Sequence, residues 1–181
     1  SLFKKRLALD LNGEEFQVSN NYSEILGNEE IKAIFIANPS SFHLESAQKA
    51  IEAGKHVYLE KPIHTNSRGV GALIKKVNQS GLTVAVGHQL RFNNMVQNVR
   101  EVLSTNGIGN PICVQTNLGE SIANFHPGED YFKSYSCRED LGGGVLLTQI
   151  HQINLLNWMF GPFKTVFATA NFKTGLNLDV E

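Results

Sequence analysis

The first half of the chain alternates continuous apolar runs with stripes at helical spacing. "IKAIFIANP" (31–39) is an unbroken apolar run, the pattern of a strand covered on both faces. In "SSFHLESAQKAIEAGK" (40–55), Leu44, Ala47, Ala50 and Ile51 form an inward helical stripe. Ser40 or Ser41 is placed to cap that helix and Gly54 to end it. "HVYLE" (56–60) predicts a second strand, residues 67–79 a helix with Leu73, Ile74 and Val77 inward, and "GLTVAVGHQLRF" (81–92) a third strand. Strand, helix, strand, helix, strand at this spacing predicts an α/β fold with a parallel, doubly wound sheet.

The flanks are less regular. Phe3, Leu7 and Leu11 share one helix face, Phe16 and Val18 suit a short strand, and Tyr22, Ile25 and Leu26 a short helix. Residues 94–104 predict a helix carrying Val96, Val99, Val102 and Leu103. "GNPICVQTNLGE" (109–120) has looser alternation and predicts a strand of a different unit. The expected boundary lies near 107–111, giving units 1–108 and 109–181. Beyond it come a polar, aromatic loop region, a helix over "VLLTQIHQINLLNWMF" (145–160) and a strand over "KTVFATANFK" (164–173). That mixture predicts a truncated α+β substrate domain.

Composition narrows the classes. Seventeen acidic residues against sixteen basic ones give neither a nucleic-acid stripe nor an acidic tail. Cys113 and Cys137 lack metal-ligand spacing and read as reduced thiols of a cytoplasmic protein, with no metal site. No apolar run reaches the ~18 residues of a membrane span, and no signal-peptide pattern is present. A doubly wound sheet of this kind usually carries GxGxxG at its first strand–helix turn. Gly69 and Gly71 fall inside a helical pattern, and Gly107 and Gly109 lie beyond the sheet; neither pair has the third glycine. Either the fold is not a dinucleotide fold, or its first unit is absent.

"IANPSSFHLESAQKAIEAGKHVYLEKP", "VGHQLRFN" and "EDYFKSYSCREDLGGGVLLTQIHQINLLNWMFG" resemble, in that order, segments of the glucose–fructose oxidoreductase/inositol dehydrogenase (Gfo/Idh/MocA) family. The resemblance runs from about Tyr22 to Gly161. It implies an N-terminal Rossmann domain, a second domain on an open, mostly antiparallel sheet that mediates homo-oligomerisation, and NAD- or NADP-dependent hydride transfer. The substrate class it implies is a secondary alcohol of a sugar, nucleotide sugar or cyclitol. Against the family pattern the chain lacks the first strand and helix and several late strands. The expectation is an inactive fragment that binds NAD(P) weakly and self-associates through its open sheet.

Each candidate residue has a plainer alternative. Lys61 follows a strand, where a charged residue is commonly a solvated turn. It also stands at the carboxyl end of a parallel strand, where open α/β sheets place ligands. The resemblance makes Lys61 catalytic and the Lys61–Pro62 bond cis. An ammonium there stabilises a developing alkoxide or, with a lowered pKa, helps accept the hydroxyl proton. Thr148, His151 and Asn154 recur at i, i+3 and i+6, a polar stripe on an apolar helix that needs partners. The resemblance makes His151 the acid/base or hydroxyl partner and Thr148 and Asn154 substrate-side residues, at positions where the family typically has Asp. Asn38, Pro39 and His43 resemble the cofactor-side loop, although a simple helix cap explains Ser40 and Ser41 equally. The resemblance sets Glu60 near the nicotinamide ribose and Arg91 beside nicotinamide or substrate. Tyr131, Tyr135 and Arg138 are candidates to line the pocket, or merely pack. Gly142, Gly143 and Gly144 permit a tight approach to the His151 helix. The competing class is a non-catalytic sugar- or nucleotide-binding regulator: the two absent carboxylates favour it, and Glu60-Lys61-Pro62 argues against it.

Overall fold

The computed structural model describes residues 17–125, 128 and 130–170. The expected helix face of Phe3, Leu7 and Leu11, the position of Phe16, and the end of the expected 164–173 strand lie outside the described residues. Three parallel strands, β1 (Ala33–Ile36), β2 (His56–Leu59) and β3 (Val84–Val86), form one sheet in the order β1-β2-β3. Ile34 lies opposite Val57, and Val57 opposite Val84. The fold is α/β and Rossmann-like.

Helix α1 (Tyr22–Gly27) starts where the Asn21 side chain accepts from the Ser23 and Glu24 amides, satisfying donors that a helix start leaves free. Helix α2 (His43–Glu52) and helix α3 (Val70–Ser80) follow β1 and β2. Ala47, Ala50, Ile51 and Leu73 pack on Ile34, Ile36, Val57 and Leu59, and α1 adds Tyr22, Ile25 and Leu26. Leu59 is fully buried, a contribution of about 1.5–3 kcal/mol for a side chain of this kind. Lys55 is also buried, its ammonium donating to the Asn28 carbonyl at 2.8 Å.

Several sequence expectations change here. The β1 run is covered on one face only, because α1, α2 and α3 all pack on the Ile34 side. Phe35 is 77% exposed on the other, stacked on Tyr58 at 5.3 Å. Neither Ser40 nor Ser41 caps α2; a 3-10 turn over Ser40–Phe42 leads into it instead. Helix α3 begins at Val70 after Gly69, and its Ile74 points to solvent while Leu73 takes the core position. Helix α4 (Asn94–Ser104) has the expected span and an Asn93 cap, but Val99 and Val102 are exposed.

The strands expected over 109–120 and 164–173 are absent from the described residues. A strand needs a neighbour to exchange backbone hydrogen bonds, and no such bond joins 110–120 to another described segment. No second, antiparallel sheet therefore forms among the described residues. The helix expected over 145–160 is two pieces, α5 (Val145–Thr148) and α6 (Ile150–Phe160), broken at Gln149. No described helix is long and apolar enough to cross a membrane.

Candidate functional site

The carboxyl ends of the three parallel strands project their next residues to the same side of the sheet, where open α/β sheets bind ligands. After β1 come Asn38 and Pro39, after β2 Glu60 and Lys61, after β3 His88 and the turn holding Arg91. A cleft of about 270 Å³ is lined by Asn38, Pro39, His43, Glu60, Lys61 and Tyr135, among others.

The Lys61–Pro62 peptide bond is cis. The Lys61 ammonium donates to the Thr148 carbonyl at 2.7 Å. The break at Gln149 makes that carbonyl available: the Gln152 amide, its partner in a continuous helix, donates to Gln149 instead. Half-burial pulls the Lys61 pKa below its ordinary value, and the Glu60 carboxylate opposes the shift.

His43 is 1% exposed, with Nδ1 at 2.6 Å from the Pro62 carbonyl and Nε2 at 2.7 Å from the Asn38 carbonyl. It ties the loop after β1 to the loop after β2. Asn38 turns its side-chain amide to the Ser46 hydroxyl, 3.0 Å away.

His151 on α6 lies edge-on to His88, ring centroids 6.1 Å apart. Burial lowers both pKa values. Arg91, His151 and Lys61 lower that of His88 further, Lys61 that of His151, and Glu60 opposes in both. Nδ1 of each ring is buried with no hydrogen-bond partner. Asn154 accepts from Arg91 Nε at 2.8 Å, and the Thr148 hydroxyl donates to the Gly144 carbonyl at 2.8 Å.

The structure thus brings Lys61, Glu60, Thr148, His151, Asn154 and Arg91 to one rim, with Asn38, Pro39, His43 and Tyr135 along the adjoining cleft. It places Tyr131 against Phe132, and Arg138 in a separate cleft with Phe132, Lys133 and Cys137, paired to Asp140. Sequence reasoning passed over His88; the strand-end rule that singled out Lys61 applies equally to the residue two positions after β3. Gly142, Gly143 and Gly144 are buried, and a Cβ on Gly142 would lie 2.9 Å from Ser40 Cβ, so the second half of the chain packs closely on the loop after β1. Among the described residues no group of three His, Cys, Asp or Glu side chains is arranged to hold a metal ion.

Two family models match the chain side by side: the oxidoreductase family with an NAD-binding Rossmann fold over residues 4–88, and the GFO/IDH/MocA C-terminal domain over residues 96–181. An oxidoreductase of Formosa agariphila is 31% identical over 150 residues, covering 82% of this chain and 46% of that protein. Apo scyllo-inositol dehydrogenase of Lactobacillus casei aligns over 85% of this chain and 43% of its own, at 25% identity and a TM-score of 0.62. The WlbA dehydrogenase of Bordetella pertussis, solved with NADH and UDP-GlcNAcA, aligns over 87% of this chain and 44% of its own, at 23% identity and a TM-score of 0.69. That last likeness is one of fold. The chain spans less than half the length of these relatives.

Proposed function

Since the chain belongs to the Gfo/Idh/MocA oxidoreductase family, we propose that its residues serve NAD(P)-dependent hydride transfer at a secondary alcohol of a sugar, nucleotide sugar or cyclitol. The observation that carries this reading is the half-buried Lys61 ammonium, set at the end of β2 in a 2.7 Å bond to the Thr148 carbonyl, with its charge felt by His151 and balanced by the Glu60 carboxylate. The residues present suit the nicotinamide end of the cofactor: the cleft of about 270 Å³ offers Asn38 and Glu60 as polar partners and Pro39 as an apolar wall. Bound there, the nicotinamide ring supplies the hydride acceptor.

This chain's own groups handle the hydroxyl. Lys61 exchanges its bond to the Thr148 carbonyl for one to the substrate oxygen and stabilises the negative charge that develops as hydride leaves carbon. His151, kept neutral by burial and by the neighbouring ammonium, accepts the hydroxyl proton. Glu60 supports the charge on Lys61. The readings of units 1–108 and 109–181, of a cytoplasmic setting and of homo-oligomerisation belong to the same proposal. The test is nicotinamide absorbance over a panel of sugars, nucleotide sugars and cyclitols with NAD⁺ and NADP⁺, on a version that carries a strand–GxGxxG–helix unit ahead of residue 1. Saturable sugar binding without any reduction of either cofactor would overturn the enzyme reading.

One observation favours the non-catalytic alternative. The Thr148 hydroxyl and the Asn154 carbonyl oxygen are both engaged within the protein, and no carboxylate hydrogen-bonds either ring nitrogen of His151 among the described residues. A regulator that binds the sugar without turning it over is the outcome this arrangement would then serve.

A further inference from the structure

Trp158 lies seven residues beyond His151 on α6, about 10 Å along the axis at ~1.5 Å per residue. Two guanidinium groups approach its ring: Arg91 at 5.4 Å and Arg100, from α4, at 4.0 Å from the centroid. Arg91 spends Nε on Asn154, and neither arginine takes part in an ion pair among the described residues. Beside them opens a cleft of about 410 Å³ lined by Gln97, Arg100, Glu101, Ser104 and Trp158.

Stacking on an indole holds a guanidinium in place without using its N–H donors. The planar donor fork that remains matches two oxygens of a phosphate. Resting on the proposed function, we propose that this cleft is an anion subsite that takes the phosphate of a phosphorylated sugar whose reacting hydroxyl lies at Lys61 and His151. The polar stripe of α6 runs between the two ends: His151 at the reacting carbon, Asn154 holding Arg91 midway, Trp158 and Arg100 at the phosphate. Gln97 keeps one amide hydrogen beside the one it donates to the Arg91 carbonyl, whereas the Ser104 hydroxyl is spent on the Glu101 carbonyl; the Glu101 carboxylate opposes the anion and limits its affinity. A neutral cyclitol would leave both guanidinium groups without a counter-charge.

Trp158 is the chain's single tryptophan, so its emission reports on this cleft alone. The chain is titrated at constant ionic strength with glucose 1-phosphate, glucose and inorganic phosphate, without nicotinamide cofactor. The expected result is a saturable change with glucose 1-phosphate, none with glucose, and binding at least tenfold weaker in Arg100→Gln, an exposed substitution outside the core. A comparable affinity for inorganic phosphate supports the subsite and assigns the affinity to the phosphate itself. No change with glucose 1-phosphate, an equal change with glucose, or unaltered binding in Arg100→Gln overturns it. Since no cofactor is present, this titration reads the subsite independently of turnover: sugar-phosphate binding here, set beside an absence of nicotinamide reduction in the separate assay with NAD⁺ and NADP⁺, would sink the dehydrogenase reading and leave the subsite standing.

Discussion

Lys61 and Thr148, 87 positions apart in the chain, meet in a 2.7 Å hydrogen bond from an ammonium to a main-chain carbonyl. That bond joins the end of a parallel strand to the break between two helices. A charge-assisted bond at a half-buried site holds the amine in one place while burial weakens its proton. The same geometry makes the first prediction.

Replacing Lys61 with Met removes the ammonium and keeps most of the side-chain volume. In the version that carries a strand–GxGxxG–helix unit ahead of residue 1, nicotinamide reduction should fall by about 10²–10⁴, the usual span for a proton-handling or charge-stabilising group. Stability, read by urea denaturation, should change by only about 1–3 kcal/mol for the lost charge-assisted bond. Retained turnover in Lys61→Met would remove the residue from the mechanism.

His88 and His151 both have folded-state pKa values below the ordinary 6.5. Between the lowered values and 6.5 the unfolded chain binds more protons than the folded one, so stability rises with pH through that window. Above 6.5 both rings are neutral in both states and the effect disappears. Thermal unfolding should therefore show Tm falling as pH drops below about 6.5, with a shallower slope in His88→Gln. Lys61 and Arg91 reinforce the effect at His88 and Glu60 works against it. A slope identical in the variant would show that His88 does not contribute.

His43→Ala deletes a fully buried ring whose two nitrogens face the carbonyls of Asn38 and Pro62. A neutral imidazole donates to one of these carbonyls; losing that bond at a buried site costs about 1–3 kcal/mol and the cavity left by the ring adds to it, so a loss of roughly 2–4 kcal/mol is expected. Chemical denaturation measures it.

Two glycines make a matched pair. A Cβ on Gly143 would stand 2.5 Å from the Ser136 carbonyl oxygen and 2.6 Å from that of Tyr135, backbone atoms that cannot swing away. Gly143→Ala should cost about 1–3 kcal/mol or more through overpacking. Gly71, in α3, meets nothing within 4 Å. Gly71→Ala should stabilise by about 0.5–1 kcal/mol through helix propensity. Denaturation midpoints of the two variants should move in opposite directions.

The parallel core was legible because its signals are local. Ala47, Ala50 and Ile51 repeat at helical spacing, and Gly54 stops the helix with positive φ whatever lies around it. Lys61 was legible through the strand that ends before it. Exposed Val99 and Val102 were misjudged because an apolar stripe states only which face is greasy, while burial depends on whether another element arrives to cover it.

By itself the sequence determined three strands and the helices between them, and so the strand end on which Lys61 sits, since period and turn chemistry act over a few residues; that the third strand, expected over 81–92, stops at Val86 and sets His88 and Arg91 on the same rim came from the structure. Only the tertiary structure decided that helices cover one face of β1, that 109–120 forms no strand, and that the 145–160 helix breaks at Gln149 to release a carbonyl to Lys61. Those outcomes turn on partners that the local pattern does not contain: a strand requires a neighbour's hydrogen bonds, and a freed helical carbonyl requires a distant donor.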